Sequence, residues 1–139
     1  DIVIDYSKEN WVETLLAATN GKKANVVYDS VGKNTFLKSL DCAAQFGLVV
    51  LFGAASGPAP AIDPELLNKK GCLFLTRPSV FPHNSDPAVF QANAAEVFEA
   101  IRTGIIKPHI GNRFTLSDIS EAHKAAEARA TEGATIIIP

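Results

Sequence analysis

Small, polar and flexible residues follow four apolar runs of this sequence, and they are the residues best suited to chemistry. They are Asp5 and Tyr6, residues 29–32, residues 52–57 and residues 76–79. If the runs are parallel strands of one open sheet, these segments share the edge where ligands bind. Glycines allow a backbone to approach a ligand closely, and hydroxyls and an arginine donate hydrogen bonds. One such segment would be only a tight turn, but four together predict a site for a flat, phosphate-bearing ligand.

A glycine-rich phosphate turn is absent from the sequence. No G-x-G-x-x-G motif stands between a strand and a helix. The run Phe-Gly-Ala-Ala-Ser-Gly at 52–57 has two glycines, but it follows a late strand and leads into a proline-rich loop. A dinucleotide site built from this chain alone would therefore lack the turn that normally holds the pyrophosphate.

Cysteine and histidine usage gives no indication of a metal site or a disulfide framework. Cys42 and Cys72 both stand in apolar surroundings, which predicts buried, reduced thiols typical of a cytosolic protein. His83, His109 and His123 are widely separated and have no partner at metal-ligand spacing. We predict no metal ligand, and no residue stands out as a catalytic acid or base.

The elements that would position the polar segments alternate along the chain. The sequence predicts a strand at 2–6, a helix capped by Ser7 and ended by Asn20-Gly21, and a buried strand before residue 29. A second helix, the strand 48–53, a short helix at 64–71 and the strand 72–78 follow. Residues 79–87 are predicted as a loop. The longest helix is expected from Pro87 to Thr103, then an extended piece, a helix capped by Ser117 or Asp118, and a last strand at 134–139.

The pattern of these elements predicts the fold class. Strands alternate with helices, and the strand runs are continuously apolar, which is typical of a parallel sheet covered on two faces. We therefore expect an α/β fold with a doubly wound parallel sheet.

Composition excludes several classes of protein. The chain has 139 residues, 47% of them hydrophobic, with 13 basic and 15 acidic residues and a formal charge of −2. A binder of nucleic acid through a basic face is not expected, because such binding needs clustered lysine and arginine. No apolar run approaches the roughly 18 residues of a membrane span. Nothing at the N-terminus is typical of a secretory signal.

Longer segments carry a specific resemblance. VIDYSKENWVE, VVYDSVGKNTFLKSLDC, GLVVLFGAASGP, LLNKKGCLFLTRPS and EARATEGATIIIP resemble NADPH:quinone oxidoreductases of the ζ-crystallin type, in the medium-chain dehydrogenase/reductase superfamily. The resemblance covers essentially the whole chain. It implies a C-terminal fragment of a longer enzyme. Residues 1–105 would be the C-terminal part of a Rossmann NADPH-binding domain, and residues 106–139 would return toward a GroES-like domain outside the chain.

The resemblance also implies which residues contact NADPH. Tyr6 resembles a tyrosine near the adenosine end, and Ser30 the serine near the adenine ribose. Ala54 and Ala55 replace residues that are more polar in the family, which leaves backbone N–H groups of that loop as donors. The full expected set is Tyr6, Ser30, Phe52, Gly53, Ala54, Ala55, Ser56, Arg77, Pro78, Ser79, Val80 and Arg129. Apart from the resemblance, Tyr6, Arg77 and Arg129 could each be structural or solvated side chains.

The activity implied is hydride transfer from NADPH to a quinone, by a cytoplasmic, metal-free homodimer without nucleic-acid or membrane partners. We expect the 139 residues alone to be inactive. An enoyl or alkenal reductase of the same superfamily remains an alternative, and so does a non-catalytic crystallin-like binding module.

The first predicted strand would lack a neighbour. In the usual strand order 3-2-1-4-5-6 it pairs with a strand that precedes this chain. We therefore expect either displacement of residues 2–6 or dimerisation, which the family commonly achieves through the strand that matches CLFLT.

Overall fold

A computed structural model describes all residues from Asp1 to Pro139. The chain divides into two compact units, Asp1–Val80 and Phe81–Pro139. The sequence-based boundary after residue 105 remains a prediction.

The first unit is built on a three-stranded parallel sheet. Its elements are α1 (Trp11–Ala18), β1 (Ala24–Asp29), α2 (Phe36–Cys42), β2 (Ala43–Leu51), α3 (Glu65–Lys69) and β3 (Phe74–Thr76). The strand order is β1-β2-β3, and both pairings are parallel. Val27 lies opposite Val49, and Asp29 lies opposite Leu51. The carboxyl ends of β1 and β2 therefore meet at one edge, as the sequence predicted.

The core of this unit lies on one face of the sheet. Phe36 and Leu40 of α2 pack with Val49 and Leu51 of β2 and with Leu73. The opposite face is open, since Tyr28 of β1 is 72% exposed and Phe74 of β3 is 61% exposed. The expectations of a buried strand before residue 29 and of a sheet covered on both faces were therefore wrong for this unit. Continuous apolar runs did not distinguish the two faces, because the residues on both faces of β1 are apolar.

Residues 2–6 do not form the predicted strand. No strand pairs with them, so their backbone lies outside the sheet, and Val3 is almost fully exposed. Ser7 does not cap α1, which begins at Trp11 after Asn10. The Asp5 carboxylate accepts a hydrogen bond from the Ser7 amide at 2.9 Å, and this turn delays the start of the helix. Asn20 and Gly21 end the helix as expected, both with positive φ.

Two further expectations in this part of the chain were wrong. Cys72 is exposed and only Cys42 is buried. Gly71 and Cys72 both have positive φ, and the resulting turn directs Leu73, not Cys72, into the core. Residues 80–83, predicted as loop, form the short helix α4 (Val80–His83). Pro82 is accommodated there because the first turn of a helix needs no N–H from it.

The second unit contains the longest helix and a two-stranded parallel sheet. Its elements are α5 (Pro87–Arg102), β4 (Ile110–Thr115), a 3₁₀ turn (Leu116–Asp118), α6 (Ile119–Glu127) and β5 (Ala134–Ile138). Asp86 caps α5 by accepting a hydrogen bond from the Ala88 amide at 2.8 Å, and Gly104 follows its end with φ +76°. The helix matches its predicted bounds, but it has no buried residue. No helix of the chain is long and apolar enough to cross a membrane.

Candidate functional site

The loop after β1 and the loop after β2 are joined by a ladder of hydrogen bonds. The Phe52 and Gly53 amides donate to the main-chain oxygen of Asp29 at 2.9 and 3.3 Å. The Ala55 amide donates to the oxygen of Ser30, and the Ser56 amide to the oxygen of Val31. Two of the four predicted polar segments therefore form one surface at the carboxyl edge of the sheet.

Glycines make this close contact possible. A Cβ on Gly53 would lie 2.3 Å from the main-chain oxygen of Ser30, far inside contact distance. A Cβ on Gly32 would lie 2.7 Å from the oxygen of Gly57, and Gly32 also has φ +84°. The sequence suggested that these glycines let a ligand approach. In the structure they let the two loops approach each other.

The carboxylate of Asp29 organises the first loop. This side chain is only 4% exposed. Its Oδ1 accepts hydrogen bonds from the amides of Val31 and Gly32 at 2.8 and 3.0 Å. The Thr35 hydroxyl lies 2.9 Å from both carboxylate oxygens, and the Ser39 hydroxyl donates to Oδ2 at 2.7 Å. The charge is buried but fully supplied with donors, which is the condition for tolerating it.

These contacts also set the ionisation of Asp29. Burial by itself raises the pKa of the carboxyl. The hydrogen bonds from Gly32, Ser39, Thr35 and Val31 outweigh burial, and the pKa is lowered below its ordinary value. Asp29 is therefore a carboxylate near neutral pH, and it has no free position from which to exchange a proton with a ligand.

The ladder leaves few donors for a ligand. Four of the five amides from Phe52 to Ser56 are occupied by the first loop, and only the Ala54 amide makes no hydrogen bond. Of the backbone N–H groups that were expected to act as donors in this loop, only that of Ala54 is therefore free to bind a ligand. The Ser56 hydroxyl donates to the Val31 oxygen at 2.7 Å and accepts from the Asn34 amide at 3.0 Å. The Ser30 side chain is exposed and has no hydrogen-bond partner, so its hydroxyl is available.

Two cavities of the first unit contain the predicted residues. One of about 420 Å³ is lined by Tyr6 and Ser30 together with Trp11, Tyr28 and other residues along β1. Another of about 340 Å³ is lined by Gly53, Ala54 and Arg77 with apolar and proline residues. Five of the twelve predicted residues therefore line these cavities, two of them in the first and three in the second.

Phe52 and Tyr28 form an aromatic contact at the same edge. Their ring centroids are 6.3 Å apart and the ring planes are inclined by 72°, which is an edge-to-face arrangement. Both rings are at least half exposed. The exposed faces of the two rings form an apolar surface beside the loop that contains Ser30. A planar group could lie on this surface.

The segment after β3 contributes a flexible cation and small residues. The Arg77 guanidinium donates to the main-chain oxygen of Pro78 at 2.9 Å and is exposed. Pro78 and Ser79 are partly buried, and Val80 is 67% exposed. Because β3 neighbours β2, this segment follows the strand next to the joined loops.

Arg129 belongs to the second unit and lies just beyond α6. Its amide donates to the Ala126 oxygen at 3.1 Å, and the Ala130 amide donates to the Ala125 oxygen at 3.0 Å. This is a Schellman helix end, and Arg129 occupies the left-handed position with φ +55°. Glycine is usual at this position, and the Arg129 side chain there is exposed.

Sequence reasoning missed the part played by Asp29 with Thr35 and Ser39. The pattern was visible as an aspartate at a strand end with hydroxyl residues six and ten positions later. An aspartate whose side chain binds the amide two residues on is a common turn former. What the sequence did not show is that the helix α2 returns both hydroxyls to the same carboxylate.

The chain offers no ligand set for a metal ion. No group of three His, Cys, Asp or Glu side chains is placed to hold one. Burial raises the pKa of the Cys42 thiol to about 11, with a smaller contribution from the Asp41 carboxylate. A thiol of that pKa is a poor metal ligand and a poor nucleophile, because the thiolate is the reactive form.

Comparison with known proteins adds a family match and curated relatives. A family model described as zinc-binding dehydrogenase matches residues 1–137. The quinone oxidoreductase of Pseudomonas aeruginosa is 46% identical over 136 residues, which are 98% of this chain and 42% of that protein. The 2-haloacrylate reductase of a Burkholderia species is 35% identical over 137 residues, or 98% of this chain and 41% of that protein. The chain therefore spans less than half the length of the curated relatives it matches.

Solved structures agree with these relatives. A mycobacterial protein complexed with NADPH matches with a TM-score of 0.88 and 41% identity, over 100% of this chain and 44% of that one. The quinone oxidoreductase of Escherichia coli complexed with NADPH matches with a TM-score of 0.87 and 40% identity, over 99% of this chain and 43% of that one. The predicted fold class, part of a Rossmann-type α/β fold, is confirmed.

Proposed function

This chain belongs to the zinc-binding dehydrogenase family, within the medium-chain dehydrogenase/reductase superfamily, and on that premise we propose that it supplies half of the NADPH site of a quinone oxidoreductase. The resemblance expected from the sequence is confirmed by relatives that are 40% to 46% identical. The activity proposed is NADPH-dependent reduction of a quinone.

The observation that carries the proposal is the joined pair of loops after β1 and β2. They place an unpartnered Ser30 hydroxyl, a free Ala54 amide and the exposed Phe52 ring at the carboxyl edge of a parallel sheet, where such folds bind ligands. Hydroxyl and single amide donors suit ribose oxygens, and the aromatic ring suits a planar base. An array of free amides that would suit a pyrophosphate is missing from these loops, because the loops bond to each other.

The residues that would hold NADPH are those expected from the sequence. Ser30 and Tyr6 would contact its sugar and adenosine portion from the larger cavity, and Phe52 to Ser56 would follow its nicotinamide ribose. Residues 77–80 would line the nicotinamide, and for Arg129 a cofactor contact rests on the resemblance alone. When bound, NADPH supplies the hydride for reduction. The role of this chain is to orient the cofactor and to exclude water from part of its surface.

Zinc does not fit the described residues. The family is named for zinc, but the chain places no three ligands together.

A chimeric enzyme tests the proposal. The part of the Pseudomonas aeruginosa relative that precedes the match is joined to this chain, and NADPH oxidation is measured with a simple quinone. We expect turnover by the chimera and none by the 139 residues alone. In the chimera, Ser30→Ala should raise the KM for NADPH, while Ser85→Ala in the second unit should not. A folded chimera that binds NADPH but reduces no quinone would contradict the proposal.

The Burkholderia relative supports a second candidate, reduction of an activated carbon–carbon double bond. That relative is a 2-haloacrylate reductase, and it is 35% identical to this chain. Parallel assays of the chimera with a quinone and with 2-chloroacrylate separate the two. A higher kcat/KM for the quinone supports the first candidate, and a higher kcat/KM for the acrylate supports the second.

Homodimerisation through β3 is also part of the proposal. β3 pairs on one side only, with β2, and Phe74 is exposed beside its open edge. Open apolar strand edges favour pairing with a second chain. Sedimentation of the chain and of Phe74→Lys tests the dimer, which the lysine should weaken. A wild-type monomer would contradict it.

We also infer a cytoplasmic location, supported by two cysteines that are both free.

A further inference from the structure

We propose that Asp29 is a positioning residue that fixes the two cofactor loops relative to each other. Its carboxylate holds the loop after β1, and its main-chain oxygen holds the loop after β2. The inference rests on the proposed function for the identity of the ligand. The coupling of the two loops is a property of the chain itself and can be measured without any ligand.

The carboxylate of Asp29 builds the turn that follows β1. Oδ1 accepts from both the Val31 and the Gly32 amides, which closes residues 29–32 into a tight turn. This turn determines where the next residue, Ser30, presents its hydroxyl. Thr35 and Ser39 hold the carboxylate from α2, so the turn is anchored to a helix as well as to a strand.

The main chain of Asp29 contacts the neighbouring loop. The main-chain oxygen of Asp29 accepts from Phe52 at 2.9 Å and from Gly53 at 3.3 Å. The turn also directs the oxygens of Ser30 and Val31 toward the Ala55 and Ser56 amides at 3.2 and 2.8 Å. A change in the turn must therefore move the acceptors on which the second loop depends.

The burial of this cluster makes the coupling strong. Asp29, Thr35 and Ser39 are each less than a tenth exposed. Without the carboxylate, two amides and two hydroxyls would lose their acceptor in a space closed to water. Buried donors without an acceptor are strongly unfavourable, so the turn must rearrange to satisfy them. Asparagine is nearly the same size, but it replaces one acceptor oxygen with a donor.

The test compares three variants of the full chain by amide resonances and by NADPH affinity. Asp29→Asn replaces one of the two acceptor oxygens with a donor, Asp63→Asn makes the same chemical change just before α3 at an exposed position, and Val49→Ala weakens the core of the same unit without touching the loops. We expect Asp29→Asn to shift the Ala55 and Ser56 amides, which do not contact the carboxylate. It should weaken NADPH binding by about tenfold or more, because small misplacements at such sites have large effects. The two controls should do neither.

A second pair of variants keeps the proposal testable if Asp29→Asn does not fold. Thr35→Val removes a hydroxyl from the carboxylate, and Thr35→Ser retains it. The valine variant should shift the Ala55 and Ser56 amide resonances and weaken NADPH binding. In the serine variant both the resonances and the NADPH affinity should be those of the wild type. A purely structural role predicts instead that Val49→Ala and Thr35→Val weaken binding in proportion to their loss of stability.

The outcomes separate this inference from the proposed function. Unchanged Ala55 and Ser56 resonances in folded Asp29→Asn or Thr35→Val would overturn the positioning role. If those resonances move but the unmutated chimera shows no binding of NADPH, the coupling stands and the proposed function is wrong.

Discussion

The Ser56 hydroxyl donates a hydrogen bond to the main-chain oxygen of Val31 at 2.7 Å, across 25 positions of sequence. The same hydroxyl accepts from the Asn34 amide, so one side chain links the end of β1, the approach to α2 and the loop after β2. The predicted cofactor residues of these loops therefore include one whose function is to hold the surface together.

Replacing Ser56 should measurably destabilise the first unit. Ser56→Ala removes two hydrogen bonds, one to the Val31 oxygen and one from the Asn34 amide, so we expect a loss of about 1–2 kcal/mol in the free energy of unfolding. Chemical denaturation measures this. Ser85→Ala removes an exposed hydroxyl that contacts Pro82, and it should change stability by less than about 0.5 kcal/mol. Equal effects for the two serines would show that the linkage is unimportant.

Acid stability should depend on Asp29. The pKa of its carboxyl is lowered in the folded protein, while an unfolded aspartate titrates near about 3.9. A lowered folded pKa stabilises the protein above the unfolded value, and this stabilisation is lost as pH falls through the folded value. Wild-type stability should therefore decline below about pH 4. Urea midpoints measured from pH 7 to pH 2 report it.

Removing one donor to the carboxylate should alter that acid profile. Ser39→Ala deletes the 2.7 Å hydrogen bond to Oδ2 and returns the pKa of Asp29 toward its ordinary value. The decline should begin at the same pH as in the wild type, near the unfolded value, but it should be smaller and should end at a higher pH. An unchanged profile in this variant would mean that another group dominates acid unfolding.

Replacing Arg129 by glycine should raise the stability of the protein and, if this side chain contacts NADPH, lower the affinity for it. Arg129→Gly relieves a left-handed backbone conformation and should raise the free energy of unfolding by up to about 1 kcal/mol. Asn20→Gly is a matched change at the end of α1, where φ is also positive, and asparagine already tolerates it. Its gain should be smaller. If Arg129 contacts NADPH, only Arg129→Gly should lower the affinity for it. A destabilised Arg129→Gly would mean that the side chain itself supports the helix end.

The two thiols should differ sharply in reactivity. Burial raises the pKa of the Cys42 thiol to about 11, so at pH 8 only about 0.1% is thiolate. Cys72 is exposed. Iodoacetamide should label the native chain once, at Cys72, and twice after denaturation, as mass spectrometry would show. Cys72→Ser should abolish native labelling, and labelling that persists in this variant would show that Cys42 is accessible.

Much of the fold follows from local sequence signals. The apolar runs before residues 29 and 51 predict β1 and β2, and Asp86, Pro87 and Gly104 predict the bounds of α5, because caps and breakers act locally. The strand expected at residues 2–6 failed for a nonlocal reason: a strand needs a neighbour, and none pairs with it here.

The site was predicted less completely than the fold. The strand-end loops were located from their composition, and Ser30 was identified as a donor. Their mutual contact was not predicted, since it depends on how β1 and β2 align and on two glycines that pack loop against loop. For the same reason the amides of Gly53, Ala55 and Ser56 were expected to be free and are not.

Titration of the isotopically labelled chain with NADPH, followed by amide resonances, tests the central claim most directly. The account predicts that the largest shifts fall on Ser30 and Ala54 and their loop neighbours, and that Ser30→Ala weakens the response while Ser85→Ala does not. If no resonance within residues 29–32 or 52–56 responds to millimolar NADPH, or if the largest shifts lie elsewhere, these loops are not part of an NADPH site.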